Sequence, residues 1–160
     1  MQRIFLDLIK CTGCRVCEAI CSLVHEDEFN PTKSRIKVVR TVDNSVVYSL
    51  PVFCLQCEEA HCAEVCPTHA ITRDNGGVLL IDEGKCIGCK LCEIACPVGA
   101  VSVHPEKRVA IKCDLCRALD EPQCVRYCFP QALSLLPAEQ VGIRSARARA
   151  DKFVEMQKGV

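Results

Sequence analysis

Sixteen cysteines fall into four groups of four, with none left over. The first group is Cys11, Cys14, Cys17 and Cys21, and the second is Cys54, Cys57, Cys62 and Cys66. The third is Cys86, Cys89, Cys92 and Cys96, and the fourth is Cys113, Cys116, Cys124 and Cys128. Each group opens with Cys-x-x-Cys and closes with Cys-x-x-x-Cys. A cubane iron–sulfur cluster takes four thiolates, so this inventory suits four [4Fe–4S] clusters. Three cysteines at two-residue spacing let one loop wrap a cubane and aim its N–H groups at the sulfurs, which tunes the potential. Gly13 and Gly88 lie between the first two cysteines of groups one and three, where close backbone approach and positive φ are expected.

In the run C-x2-C-x2-C-x3-C-P, the fourth cysteine ligates the other cluster of a pair. Groups two and three are sequence neighbours and are expected to exchange. One cluster then takes Cys54, Cys57, Cys62 and Cys96, and the next takes Cys86, Cys89, Cys92 and Cys66. By elimination, groups one and four exchange as well. Cys11, Cys14 and Cys17 then work with Cys128, and Cys113, Cys116 and Cys124 with Cys21. That second exchange needs the two ends of the cysteine-bearing chain to meet.

Other uses of the thiols fit less well. Disulfides suit an oxidising compartment, and the start of the chain carries no secretory pattern. Structural zinc pairs two Cys-x-x-Cys knuckles, whereas three cysteines at x2, x2 followed by x3 and proline favour iron–sulfur. A catalytic or three-iron cluster would leave a group one cysteine short, and none is short. The four histidines (His25, His61, His69, His104) are expected on the surface or packed around the ligands. Arg15, Lys90, Lys112 and Arg126 lie inside the motifs, where they either raise nearby potentials or, as is expected, are solvated side chains.

The elements that position the cysteines follow from two repeats. Lys10-Cys11-x-Gly13-Cys14-x-x-Cys17-Glu18 recurs as Lys85-Cys86-x-Gly88-Cys89-x-x-Cys92-Glu93. Groups two and four share a variant with a longer gap before the third cysteine, Glu58 to His61 and Arg117 to Gln123. After the last cysteine of three groups come Ala70-Ile71-Thr72, Ala100-Val101-Ser102 and Ala132-Leu133-Ser134, reached past Pro67, Pro97 and Pro130. Proline turns the chain, and the apolar pair starts a strand. Hairpins are expected at 71–81 around Asp74-Asn75-Gly76-Gly77, at 101–111 around His104 to Lys107, and at 35–48 around Asp43-Asn44. Short helices fit between the third and fourth cysteines of each group. Group one lacks the proline turn. Residues 22–53 replace it, either to cover the clusters or to face a partner.

The predicted fold class is α+β: two ferredoxin-like units, nested, with short hairpins, short helices and a C-terminal helix. Residues 1–53 and 105–136 make the outer unit, 54–104 the inner unit, and 137–160 a helical tail. From Ala138 to Lys158 the tail shows a weak apolar stripe (Val141, Ala146, Ala150, Phe153, Val154). It also shows a basic face (Arg144, Arg147, Arg149, Lys152). It either packs on its own domain or docks a partner.

Composition narrows the function classes. The chain has 160 residues, 4% aromatics and no Trp, so clusters must supply much of its core. Lys plus Arg and Asp plus Glu balance at 20 each. Four oxidised cubanes at about −2 apiece would bring the loaded protein to about −8. Nothing here suits nucleic acid, and no stretch approaches a membrane span. The expected compartment is the cytoplasm. A globule of this length has a radius of gyration of roughly 15 Å, so four clusters would lie about 10–15 Å from their neighbours. That is the layout of a one-electron relay.

With all sixteen positions filled over residues 3–136, the chain resembles the four-cluster ferredoxin-like electron-transfer subunits of anaerobic oxidoreductases. Its start, KCTGCRVCEAICSLVHEDEFNPTKSRIKV, looks like the small subunits that accompany tungsten aldehyde oxidoreductases and the related benzoyl-coenzyme A reductases. It is similar also to the small subunits of carbon monoxide dehydrogenases. The tungsten resemblance implies electrons passing between a tungsten-pterin catalytic subunit and a flavin subunit, with further copies of the chain able to stack. Alternatives are the equivalent subunit of a carbon monoxide dehydrogenase, hydrogenase or formate dehydrogenase, or an iron–sulfur sensor. In the first two readings the chain has no active site of its own.

Overall fold

The computed structural model describes residues 1–43 and 46–158. Among the described residues, eight strands pair into four separate two-stranded antiparallel sheets, and five helices connect or follow them. Strand β1 (Gln2–Leu6) pairs with β8 (Leu133–Pro137), with Ile4 opposite Leu135 and Leu6 opposite Leu133. This ladder ties the start of the chain to the segment after the last cysteine, so the two ends do meet. Ile4 and Leu133 are buried in it, and full burial of such a side chain stabilises by roughly 1.5–3 kcal/mol.

The three expected hairpins form. Strands β4 (Ile71–Arg73) and β5 (Leu79–Ile81) flank a turn held by Asp74, whose Oδ1 accepts the N–H groups of Gly76 and Val78 at 2.9 and 2.8 Å. Strands β6 (Ser102–Val103) and β7 (Ala110–Ile111) are shorter than expected. Strand β2 (Lys37–Asp43) begins two residues late and runs four further, against β3 (Val46–Val52). The expected turn residue Asn44 lies outside the described residues.

A helix carries the third cysteine of every group: α1 (Val16–Glu26), α2 (His61–Glu64), α3 (Leu91–Ala95) and α4 (Gln123–Arg126). Helix α1 is the longest of these because the chain after Cys21 continues through Ser22-Leu23-Val24 instead of meeting a proline. It stops at Asp27, which is left-handed and donates its N–H to Leu23 O at 3.0 Å. Glu18 on α1 is buried and accepts the Val38 N–H at 2.7 Å, so α1 anchors the start of β2. Residues 22–53 therefore both cover and protrude. Ile36, Val38 and Phe53 are buried, while Val39, Tyr48 and Leu50 share an exposed face.

Two apolar cores result. One gathers Ile4, Ile36, Phe53 and Leu133 with Cys21, Cys54, Cys113 and Cys124, and Cys17 and Cys128 pack beside it. The other gathers Ala60, Ile71, Leu79, Val101 and Ala110 with Cys92, and Cys62, Cys66, Cys86 and Cys96 surround it. Helix α5 (Ala138–Lys158) starts against β1 and β8, where the Ala138 N–H donates to Met1 O at 3.0 Å. Of the apolar stripe, Ala146, Ala150 and Val154 are exposed, while Val141, near the start of the helix, is half-buried. The side chains of Arg149, Lys152 and Phe153, named above for this helix, lie outside the described residues. No described helix is long and apolar enough to cross a membrane.

Candidate metal centres

All four cysteine loops use the same backbone reversal. The second residue after each group's first cysteine has positive φ: Gly13 at 68°, Gln56 at 53°, Gly88 at 67° and Leu115 at 59°. The reversal turns neighbouring N–H groups to one side, an arrangement that suits anionic sulfur. Gln56 N–H donates to Cys54 Sγ at 3.5 Å, and Leu115 N–H to Cys113 Sγ at 3.4 Å. At Gly88 a Cβ would run into the carbonyl oxygen of Arg108, so glycine is required there for space as well as for φ. Gln56 is held in the left-handed region by full burial and by its amide. Nε2 donates to Cys113 O and Oε1 accepts the Leu79 N–H, each at 2.9 Å.

The fourth cysteines have a reversal of their own. The third residue after three of them is left-handed: His69 at 50°, Gly99 at 66° and Gln131 at 52°. The chain then passes back over the sulfur. Ala70 N–H donates to Cys66 Sγ and Ala100 N–H to Cys96 Sγ, both at 3.3 Å. In group four the donor is Leu133, one residue beyond the expected alanine, at 3.4 Å from Cys128 Sγ. In group one Arg35 N–H takes this place, 3.4 Å from Cys21 Sγ, brought in by the long 22–53 segment.

The folded chain brings cysteines of different groups to one place. Cys66 lines a small cavity with Cys86, Cys89 and Cys92. Cys21 lines a second with Cys113, Cys116 and Cys124. Their empty volumes are close, about 330 and 310 Å³. The other two sets are tied by partial contacts. Cys62 feels the charges of Cys54 and Cys96, and Cys17 those of Cys14 and Cys11, while Cys128 packs in the core that holds Cys17. Cys57 is half-buried in the group-two loop.

The donor set fits iron. All sixteen cysteines are free thiols. Burial, then neighbouring thiolates, pushes the Cys92 thiol up to about 11 and the Cys62 thiol upward. Burial followed by Glu18 pushes Cys17 up to about 12. Cys113 and Cys124 are raised further, with burial again the largest cause. Thiols crowded in this way stay protonated until a cation displaces the proton, so metal binding would compensate the repulsion.

The residues around the cysteines include expected and unexpected ones. His25 packs around the ligands, one of its two expected places: Nδ1 lies 3.7 Å from Cys21 Sγ, and Nε2 pairs with Asp114 at 3.1 Å. Arg35 holds the other Asp114 oxygen at 2.8 Å. Burial opposes the Asp114 charge, but the bond from His25 and the charge of Arg35 outweigh it and hold this carboxyl well below its usual range. His104 is only 1% exposed and is structural, with Nε2 3.2 Å from Glu26 and Nδ1 accepting the Glu106 and Lys107 N–H groups. His61 and His69 are exposed as expected, and so are Arg15, Lys90 and Arg126. Lys112 is not solvated. It is 3% exposed, because Cys113 draws the residue before it into the core. Only charge type and position mark these residues in the sequence, and neither reveals which contacts fold around them.

Known proteins bear the pattern out. A family described as the 4Fe-4S dicluster domain matches residues 45–137. The electron transport protein HydN of Escherichia coli (strain K12) is 36% identical over 169 residues, covering 91% of this chain and 94% of HydN. Formate hydrogenlyase subunit 2 of the same organism is 34% identical over 186 residues, covering 94% and 89%. Among solved structures, the active site complex BamBC of benzoyl coenzyme A reductase contains a similar chain. The TM-score is 0.52 at 27% identity, covering 99% of this chain and 97% of that one. Free thiols placed in fours, on loops that direct N–H groups at sulfur, are what such relatives would require. The chain belongs to the 4Fe-4S dicluster, ferredoxin-like electron transport proteins, and it serves as an electron-transfer protein without catalysis of its own.

Proposed function

We propose that the chain is the relay subunit of an oxidoreductase complex, holding four [4Fe–4S] clusters and passing single electrons between a catalytic subunit and a second carrier. The observation that carries this reading is the convergence of Cys66 with Cys86, Cys89 and Cys92, and of Cys21 with Cys113, Cys116 and Cys124. Each set combines three cysteines of one group with the fourth of another, the exchange expected of paired cubanes. The remaining sets are Cys54, Cys57, Cys62 with Cys96, and Cys11, Cys14, Cys17 with Cys128. When bound, such a cluster supplies one-electron chemistry.

The chain's own part is to hold the four sites in line. Helix α1 carries ligands of two sites, Cys17 and Cys21, and helix α4 holds Cys124, with Cys128 just past its end. Helices α2 and α3 hold Cys62 and Cys92, with Cys66 and Cys96 just past their ends. The two pairs meet where Cys54 and Cys113 share a core. The β1–β8 ladder supports an outer unit closed around an inner one of residues 54–104. At the two ends, Cys14 and Cys89 are exposed. Exposed apolar residues flank them, Leu8 and Ile9 at one end and Ile87 and Ile94 at the other. Such patches suit protein contacts and mark where electrons enter and leave.

Two partner readings have support. The identity to formate hydrogenlyase subunit 2 favours a formate- or hydrogen-metabolising enzyme. The likeness to the BamBC chain along nearly its whole length favours the tungsten-type reading, with a tungsten-pterin catalytic subunit and a flavin-containing acceptor. Either setting is cytoplasmic in this proposal. The test is iron and acid-labile sulfide on anaerobically purified protein, with zinc assayed alongside. About sixteen of each per chain is expected for four cubanes, and zinc without sulfide would overturn the reading. Tungsten, molybdenum, nickel and flavin in the co-purifying complex then separate the partners.

A further inference from the structure

The residue before the first cysteine is lysine in three of the four groups: Lys10, Lys85 and Lys112. Lys10 and Lys85 are exposed and pair with Asp7 and Asp82 on their own loops. Lys112 is buried. Its Nζ donates to two carbonyl oxygens, Leu79 O in a short bond and Cys113 O at 3.1 Å. Among the described residues no carboxylate pairs with it. Asp114 and Glu83 line the same groove, but the two Asp114 oxygens are taken by His25 and Arg35, and Glu83 is exposed and makes no ion pair with Lys112. A buried ammonium without an anionic partner is costly, so its counter-charge must come from elsewhere.

The surroundings say from where. Leu79 and Cys113, which hold the ammonium, are also the two residues bridged by the Gln56 amide. Gln56 belongs to the loop of Cys54 and Cys57, and Cys113 opens group four. Lys112 thus sits where the inner cysteine groups meet the outer ones. On either side of that junction stand Cys113 and the Gln56-bearing loop of Cys54 and Cys57, whose thiolate-held groups would supply the counter-charge.

We propose that Lys112 is a potential-setting residue, a fixed positive charge that favours the reduced state of the two clusters meeting at that junction. The proposal rests on the four-cluster reading above. One-electron reduction adds one negative charge to a site already negative. A positive charge clamped nearby, away from bulk water, lowers the energy of that added charge more than a solvated lysine can. The two sites at the ends carry the exposed equivalents Lys10 and Lys85 and lack this term.

The experiment compares wild type, Lys112→Gln, Lys112→Arg and Lys85→Gln as anaerobically purified protein, by iron and sulfide content and by EPR-monitored redox titration. Gln removes the charge and can still donate to a carbonyl, and Arg keeps the charge. The expected result is unchanged iron in all four proteins. In Lys112→Gln the reduced-to-oxidised ratio of two of the four couples falls about tenfold at fixed potential, about 59 mV for a one-electron couple. Lys112→Arg and Lys85→Gln titrate as wild type. The proposal is overturned by unshifted couples in Lys112→Gln, by equal shifts in the Gln and Arg variants, or by loss of iron on either Lys112 substitution. Wild-type protein without iron and sulfide would instead overturn the four-cluster reading.

Discussion

Exchange of the fourth cysteines predicts which pairs of mutations act on the same site. Consider Cys21→Ser. In its cavity Cys21 is the one cysteine from outside group four, beside Cys113, Cys116 and Cys124. It is buried, and Arg35 N–H and His25 Nδ1 both lie against its sulfur, at 3.4 and 3.7 Å. Losing one cubane of four lowers the iron content from about sixteen to about twelve per chain. Single substitution of Cys113 or Cys17 gives the same number, so singles do not discriminate. Doubles do, because groups that serve one site are non-additive and independent sites add. Under exchange, Cys21→Ser with Cys113→Ser stays at about twelve, whereas Cys21→Ser with Cys17→Ser falls to about eight. Ligation within each group predicts the reverse. The assay is iron and sulfide per chain on anaerobically purified protein, with EPR counting the remaining reducible clusters. About eight irons in the Cys21/Cys113 double and about twelve in the Cys17/Cys21 double would refute the exchange.

Three further outcomes follow from the same structure. Gly88→Ala should prevent one site from filling, since its Cβ meets the Arg108 carbonyl; Gly99→Ala meets no atom within 4 Å and should cost only about 1 kcal/mol of backbone strain. Iron content after reconstitution separates the two, and equal loss in both would contradict the packing argument. Glu18→Ala leaves the buried Val38 N–H without its acceptor, which costs about 1–3 kcal/mol. For a chain of this size that lowers the thermal midpoint by roughly 2–12 °C. A midpoint unchanged under anaerobic conditions would mean the bond carries no net stability. Deleting residues 138–160 should leave cluster content intact, because α5 meets the rest of the chain at its start, against β1 and β8. If the exposed face of α5 is a docking element, the truncated chain no longer co-purifies with its partner, and an unchanged complex would assign that role elsewhere.

Much of the site could be read directly because cysteine spacing is a local property. Two residues between thiols is the length of one loop around a cubane, and that holds whatever the rest of the chain does. The proline-and-alanine repeat likewise marked the places where the chain turns back over Cys66 and Cys96, and Asp74-Asn75-Gly76-Gly77 marked a hairpin. Strand β1 was not singled out, because five residues with no partner nearby in sequence gain their pairing only when β8 arrives from the other end of the chain. The same distance hid the left-handed residues Gln56 and Leu115. Their type does not favour that conformation; Gln56 is held there by burial and by the two groups its amide bridges, and Leu115 donates its N–H to Cys113 Sγ.

The sequence by itself determined the ligand inventory: sixteen thiols in sets of four and the spacing of the loop around each set. Only the tertiary structure decided which thiols share a cavity, which lysine lost its water and which histidine turned inward. The reason is physical. Ligand type and loop geometry are set within a few residues by covalent spacing and backbone sterics. Burial and charge pairing depend on groups far apart in the chain, Cys21 with Asp114 and Arg35, or Lys112 with Leu79. Those contacts exist only once the whole chain has closed.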